Sequence, residues 1–166
     1  MNDSTAVKTL CILRLSALGD ATHVLPLIRT LQRNLPECRI TWILGKGEAK
    51  LMEGLENVEL IAFDKKSGLK GVKQLAQQLA GRRFDVLLQM QLALRANLIS
   101  AVIPANRRIG YDTGRSKEGH GLFINERIAS GKHHVLDVFG LFAEPLGFLQ
   151  TDIRWDIPVS AQDYAW

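Results

Sequence analysis

Short apolar runs alternate with stretches of helical periodicity along almost the whole chain, and a chain patterned in this way has few architectures open to it. The first run holds Leu10, Cys11, Ile12, Leu13 and Leu15 and stops at Ser16. After Gly19 the apolar positions Val24, Leu25, Leu27, Ile28 and Leu31 recur every three or four residues, so a helix is expected to about Asn34, where Pro36 turns Leu35 out of helical geometry. Pro26 is tolerated only in a first turn, so the regular helix either opens near Val24 or begins distorted. Further strands are expected at 39–44, 58–63, 84–90 and 107–111, with helices over 48–55, 69–79, 92–103 and 134–146. Val86, Leu87 and Leu88 are continuous enough for a strand buried on both faces. Residues 112–131 read as an irregular loop with a short strand at 122–124, and 153–155 as a strand-like piece before Ser160, which would cap a helix from Ala161. The alternation predicts an α/β fold: a Rossmann-like three-layer sandwich around a mainly parallel sheet with right-handed crossovers. At 166 residues and 46% hydrophobic composition the chain is sized for one such domain.

In open α/β sheets ligands bind where a strand's carboxyl end meets a helix's amino end, because helix-terminal N–H groups point outward without partners. Here that corner spans residues 16–23 and holds a carboxylate, Asp20. Two readings stand: a helix N-cap, which accepts a hydrogen bond from the first turn, or a general base facing a cleft. A dinucleotide fingerprint is absent, since the corner has one glycine, Gly19, where G-x-G-x-x-G needs three.

Ile12, Arg14, Ser16, Gly19, Asp20, His23, Leu25 and Pro26 together resemble the amino-terminal signature of glycosyltransferase family 9, the lipopolysaccharide heptosyltransferases, where Ser-x-x-Gly-Asp-x-x-His-x-Leu-Pro follows the first strand. Later blocks are similar in order: Asp85 to Gln91 before an Arg-containing helix, Arg107 to Asp112, and Lys132 to Phe139 running to Gly147. The resemblance implies the amino-terminal half of a GT-B type enzyme, with residues 1–155 as the acceptor-binding domain and 156–166 opening a linker to a donor-binding domain. It implies transfer of heptose from ADP-heptose to the anionic lipopolysaccharide inner core with inversion, without metal or cofactor, by the full-length enzyme and not by these 166 residues alone. The alternative class is a non-catalytic sugar- or nucleotide-binding Rossmann-like module.

On this resemblance Asp20 is the base that deprotonates the acceptor hydroxyl. Ser16 would donate a hydrogen bond to the acceptor and Gly19 would permit a tight turn or a close approach, although turn chemistry alone explains both. His23 would orient Asp20, contact a phosphate, or serve as a local cap partner. Arg95, Arg115 and Lys132 lie in segments leaving the fourth and fifth strands and would meet acceptor phosphates or carboxylates, whereas Lys70, Lys73, Arg82 and Arg83 read as solvated surface charge. The family's acid and glycine give way here to Gln89, Met90, Gln91 and Leu92, which implies different acceptor contacts.

The net charge of +4, from 21 Lys and Arg against 17 acids, favours anionic partners; nucleic acid is disfavoured because aromatics are 7% and do not interleave with the basic residues. His120, His133 and His134 lack the spacing or cysteine partners of a metal site. Cys11 and Cys38, two thiols without metal-type spacing, suit a reducing compartment. The polar amino terminus and Arg14 within the first apolar run argue against a signal peptide. A cytoplasmic protein is expected, with peripheral contact to the inner membrane where its acceptor lies.

Overall fold

The computed structural model describes residues 6–131, 134–149 and 153–159. In chain order it forms β1 (Thr9–Leu13), α1 (Leu18–Thr22), α2 (Leu25–Asn34), β2 (Arg39–Gly45), α3 (Lys46–Leu51), β3 (Val58–Phe63), α4 (Gly68–Gln78), β4 (Phe84–Gln89), α5 (Leu94–Ala101), β5 (Ala105–Gly110), β6 (Glu126–Arg127) and α6 (Val135–Gly140). The six strands make one sheet in the order β3-β2-β1-β4-β5-β6, and every pairing is parallel. The expected α/β sandwich is what the chain folds into.

β1 is central because it is the most uniformly apolar strand: Leu10, Cys11, Ile12 and Leu13 are fully buried. Alternate side chains leave a strand on opposite faces. Leu10 and Ile12 therefore join Trp42, Leu44, Val86 and Leu88 under α2 and α6. Cys11 and Leu13 join Ile43, Ile61 and Leu87 against Leu75, Leu79, Ile99 and Ile103 on the other side. Burial on both faces by helices is what a parallel sheet requires.

The chain winds from β1 outward to β3 and then crosses back to β4 on the other flank of β1. The reversal opens a crevice at the carboxyl ends of β1 and β4, the usual ligand position in such sheets. Pro26 resolves its own ambiguity by sitting second in α2, where a missing N–H is harmless, and the preceding residues form the separate single turn α1 that carries Asp20.

Several boundaries differ from expectation. The strand expected at 122–124 lies instead at β6, two residues further on, and Leu122 belongs to a 3₁₀ turn. Charge pairing, not apolar pattern, selects this edge strand: Arg107 Nε and Nη2 grip Glu126 Oε1 and Oε2 at 2.6 and 2.7 Å. The single helix expected over 134–146 stops at Gly140, where the Phe142 and Ala143 N–H groups bond only three residues back, to Phe139 O and Gly140 O, and Pro145 lies in the 3₁₀ turn Glu144–Leu146 that follows. Leu92 precedes α5 and Ala93 is its extended N-cap. Residues 153–155 form no strand; the segment is tied to α2 by Arg29, whose Nε and Nη2 meet Asp156 at 3.0 and 2.8 Å. Ser160 and the helix expected from Ala161 lie outside the described residues.

Candidate functional site

Arg14 is the first residue past β1, and its backbone is held by β2: its N–H donates to Ile43 O at 3.1 Å, and its carbonyl accepts Trp42 Nε1–H at 3.3 Å. A charge emerging between buried Leu13 and Leu15 must find partners. Nη1 donates to Met90 O and Nη2 to Asp20 Oδ2, each at 2.5 Å, and the guanidinium carbon lies 5.2 Å from the centre of the Phe139 ring. Nε is buried and has no partner among the described residues.

Asp20 is not an N-cap. Ala17 occupies that position of α1 with no side-chain cap, and the Asp20 carboxylate turns instead to Arg14. Its side chain is 38% exposed against 13% for Arg14, so the acid is the accessible half of the pair. Oδ2 takes the guanidinium; Oδ1 accepts no hydrogen bond among the described residues.

Arg14 and Asp20 line a cleft of about 280 Å³ with Leu92, Tyr111, Arg115, Val135, Val138 and Phe139. One wall is thus charged and comes from strand-exit segments, and the other is apolar and comes from α6. A larger groove of about 880 Å³ lies around the amino ends of the strands, where its one arginine–carboxylate pair, Arg82 Nη2 with Glu59 Oε2 at 2.7 Å, is already closed and supported by Thr41. Arg82 is therefore an ion-pair residue and not the solvated charge expected.

The cleft floor is built from buried polar groups. Tyr111 O–H donates to Met90 O at 3.0 Å, the same carbonyl that Arg14 uses, and burial pushes the phenol up to about 12, keeping it a donor. Behind it, Tyr111 N–H donates to His120 Nε2 at 3.0 Å, His120 Nδ1 faces Asn97 Oδ1 at 3.1 Å, and Gln89 Nε2 donates to the same oxygen at 2.6 Å. With Nε2 accepting, the His120 proton resides on Nδ1.

Burial, aided by Arg127, pulls His120 down to about 4 from 6.5. Because the folded value lies below the unfolded one, unfolding takes up a proton as pH falls. His120 should then remove roughly 1.4 kcal/mol of stability per pH unit across the interval between its two values. Urea midpoints measured through that interval should show the slope, and His120→Gln, less stable at neutral pH, should lack this component.

Gln91 fixes the loop after β1: its Oε1 accepts Leu15 N–H at 2.6 Å and its Nε2 donates to Ser16 Oγ at 3.1 Å. Ser16 is thus held beside Gln91, outside the residues that line the cleft, with its own hydroxyl hydrogen uncommitted among the described residues. Gly19 lies within α1 without positive φ, and a Cβ there would meet nothing within 4 Å, so it serves no tight turn and leaves open space above the helix. His23 is a local cap partner, Nδ1 to Gly19 O at 2.8 Å, with its ring edge-on to Trp155 at 6.0 Å; its backbone N–H donates to Asp20 O at 3.1 Å, but among the described residues its ring makes no hydrogen bond to the Asp20 carboxylate.

Arg115 does reach the cleft, anchored on the Asp112 carboxylate and Gly131 O. Burial alone would raise Asp112, but the Arg115 guanidinium and the Gly114 and Arg115 N–H groups outweigh it and hold the acid below the usual carboxylate range. Arg95 does not join them: its Nη1 donates to Lys65 O at 2.9 Å, and it is not among the cleft residues. Lys132 and His133 lie outside the described residues. Arg14, Tyr111, Phe139 and Gln91 are the site residues that periodicity left unmarked. The available signal was Arg14, a charge closing an apolar run.

The fold and site define an open α/β domain with an acid–arginine cleft at its topological switch point. The model of glycosyltransferase family 9 (heptosyltransferase) matches residues 72–166, and the chain belongs to that family. It is 45% identical over 160 residues to the lipopolysaccharide core heptosyltransferase OpsX of Haemophilus influenzae, an alignment covering 96% of this chain and 46% of that protein. It is 23% identical over 177 residues to lipopolysaccharide heptosyltransferase 1 of Escherichia coli K12, covering 93% and 56%. The chain thus spans about half the length of the curated relatives it matches. Its fold is shared with a family 9 glycosyltransferase of Veillonella parvula, at TM-score 0.81 and 21% identity over 93% of this chain and 46% of that one. It is shared also with the Escherichia coli heptosyltransferase WaaC solved with ADP, at TM-score 0.72 and 22% identity over 86% and 48%.

Proposed function

We propose that residues 1–155 form the acceptor side of an inverting, metal-independent heptosyltransferase that uses ADP-heptose and the lipopolysaccharide inner core, with 156–166 opening the linker to a donor-binding domain. The observation that carries this reading is the state of Asp20: one carboxylate oxygen anchored on Arg14 and the other uncommitted at a cleft that Arg115 also lines. The relatives named above, a core heptosyltransferase among them, support the choice of reaction.

In the reaction the acceptor O–H bond breaks and its proton passes to Asp20 Oδ1 as the oxygen attacks the anomeric carbon. The bond from that carbon to the diphosphate breaks on the opposite face, and its electron pair leaves with ADP. Arg115 holds the anionic acceptor, with Ser16 and Lys132 as the further contacts that the family resemblance implies, and the apolar face of Val135, Val138 and Phe139 excludes water from the attacking hydroxyl. No helix among the described residues is long and apolar enough to cross a membrane. The net charge of +4 suits a cytoplasmic protein that meets its acceptor at the inner-membrane surface.

The test is incubation of the full-length protein with ADP-heptose and a heptose-deficient core in the presence of a chelator. One heptose should be added with inverted anomeric configuration, while the 166-residue polypeptide alone binds the core and consumes no donor. Binding without transfer by the full-length protein would overturn the reading in favour of a non-catalytic sugar-binding module.

A further inference from the structure

We propose that Arg14 is the positioning residue for Asp20, a fixed guanidinium fork that sets which carboxylate oxygen faces the acceptor hydroxyl; the proposal rests on Asp20 being the base.

α1 cannot hold Asp20 in place by itself. It is five residues long, has no side-chain cap and exposes Leu18 and Gly19, and an isolated turn of that length has no stability of its own. Arg14 has what α1 lacks. Its backbone is bonded to Ile43 O and Trp42 Nε1, its side chain is mostly buried, and its guanidinium is fixed by Met90 O at one nitrogen and by the Phe139 ring over its face. The same carbonyl is held by Tyr111 O–H, so the anchor point is shared with the cleft floor. A planar fork with one prong on Met90 O leaves the other prong a single direction, and Asp20 Oδ2 lies along it at 2.5 Å. Oδ1 is left without a hydrogen-bond partner among the described residues, on a side chain that lines the cleft.

The two guanidinium contacts found among the described residues, Met90 O at Nη1 and Asp20 Oδ2 at Nη2, are the two that fix the direction of the carboxylate.

Arg14→Lys and Arg14→Ala in the full-length protein test this by steady-state transfer kinetics. Lysine keeps the charge but reaches one acceptor at a time, so kcat should fall about tenfold with acceptor KM and melting temperature nearly unchanged. Alanine frees the carboxylate, and kcat should fall about a hundredfold, again with little change in KM. Guanidinium ion at sub-denaturing concentration should restore part of the turnover of Arg14→Ala and none of that of Asp20→Asn. Adding Arg14→Ala to Asp20→Asn should cost no further rate.

Wild-type kcat in Arg14→Lys overturns the proposal, and this variant decides the matter if Arg14→Ala fails to fold. A raised acceptor KM at unchanged kcat overturns it too, making Arg14 a binding group. Turnover retained by Asp20→Asn would instead remove the base reading, whereas an inactive Asp20→Asn beside a fully active Arg14→Lys removes only the role of Arg14.

Discussion

Asp20→Asn in the full-length protein should lower the proposed heptosyl transfer by about 10²–10⁴-fold, the range expected if Asp20 is the positioned general base we propose. The substitution removes a negative charge and a proton acceptor while keeping an oxygen of the same shape for Arg14 Nη2, so the fork and the turn it steadies stay in place. The pair is partly open to solvent on the Asp20 side, which limits what the lost charge does to stability. Urea midpoints should therefore differ little between the two proteins, and acceptor KM should stay within about threefold, because transition-state chemistry and not ground-state binding is removed. Transfer kinetics on the full-length protein check this. Turnover within about tenfold of wild type would mean that another group takes the proton.

The sheet was legible because its strands are apolar without interruption. Leu10 to Leu13 and Val86 to Leu88 can only be buried on both faces, and helical spacing between them dictates parallel crossovers. Legibility ended where a tertiary partner decides the outcome. β6 is held to β5 by the Arg107–Glu126 pair, and no periodicity in residues 112–131 points to it. The last helix ends at Gly140, where the backbone bonds tighten to three residues back, and the apolar spacing that continues past that glycine hid the break.

The site divides in the same way. Asp20 stood out because a carboxylate at a strand-to-helix corner has few uses, and the structure removes one of them, the N-cap. Arg115 is where strand order would put it. Arg95 was assigned by the same logic and lies elsewhere, because following the fourth strand fixes a segment but not the direction of a side chain, and its guanidinium found the Lys65 carbonyl. Arg14 was visible only as a break in an apolar run. Its meaning depends on Met90 and Phe139, roughly eighty and one hundred and twenty residues away, brought beside it by the order of strands in the sheet.

The same corner carries a second expected result of large size, at a residue that does not line the cleft. Gly45→Ala should destabilise the protein by about 2–4 kcal/mol, as overpacking beside a buried charge does. The backbone of Gly45 is ordinary, with φ −67° and ψ 159°, so conformational freedom is not what the position requires. Space is what it requires: a Cβ would stand 2.6 Å from Leu15 O and 2.9 Å from Lys65 Cε, and would run into Glu48 Oε2. The Leu15 carbonyl cannot simply retreat, since it already accepts the Gly45 N–H at 3.0 Å and its own N–H is clamped by Gln91. Glu48 is nearly buried and depends on Lys65 Nζ at 3.1 Å for a counter-charge, so displacing it strands a carboxylate in the interior. Where the Leu15 carbonyl yields, the loop from Leu15 to Ser16 moves, and that loop leads directly into α1. A displacement of about 1 Å there is enough to lower turnover about a hundredfold in the molecules that remain folded. Urea denaturation and transfer kinetics on Gly45→Ala measure the two effects separately. A wild-type midpoint with lost turnover would place the whole strain in the Leu15 loop, and a lowered midpoint with wild-type turnover would place it at Glu48 and Lys65.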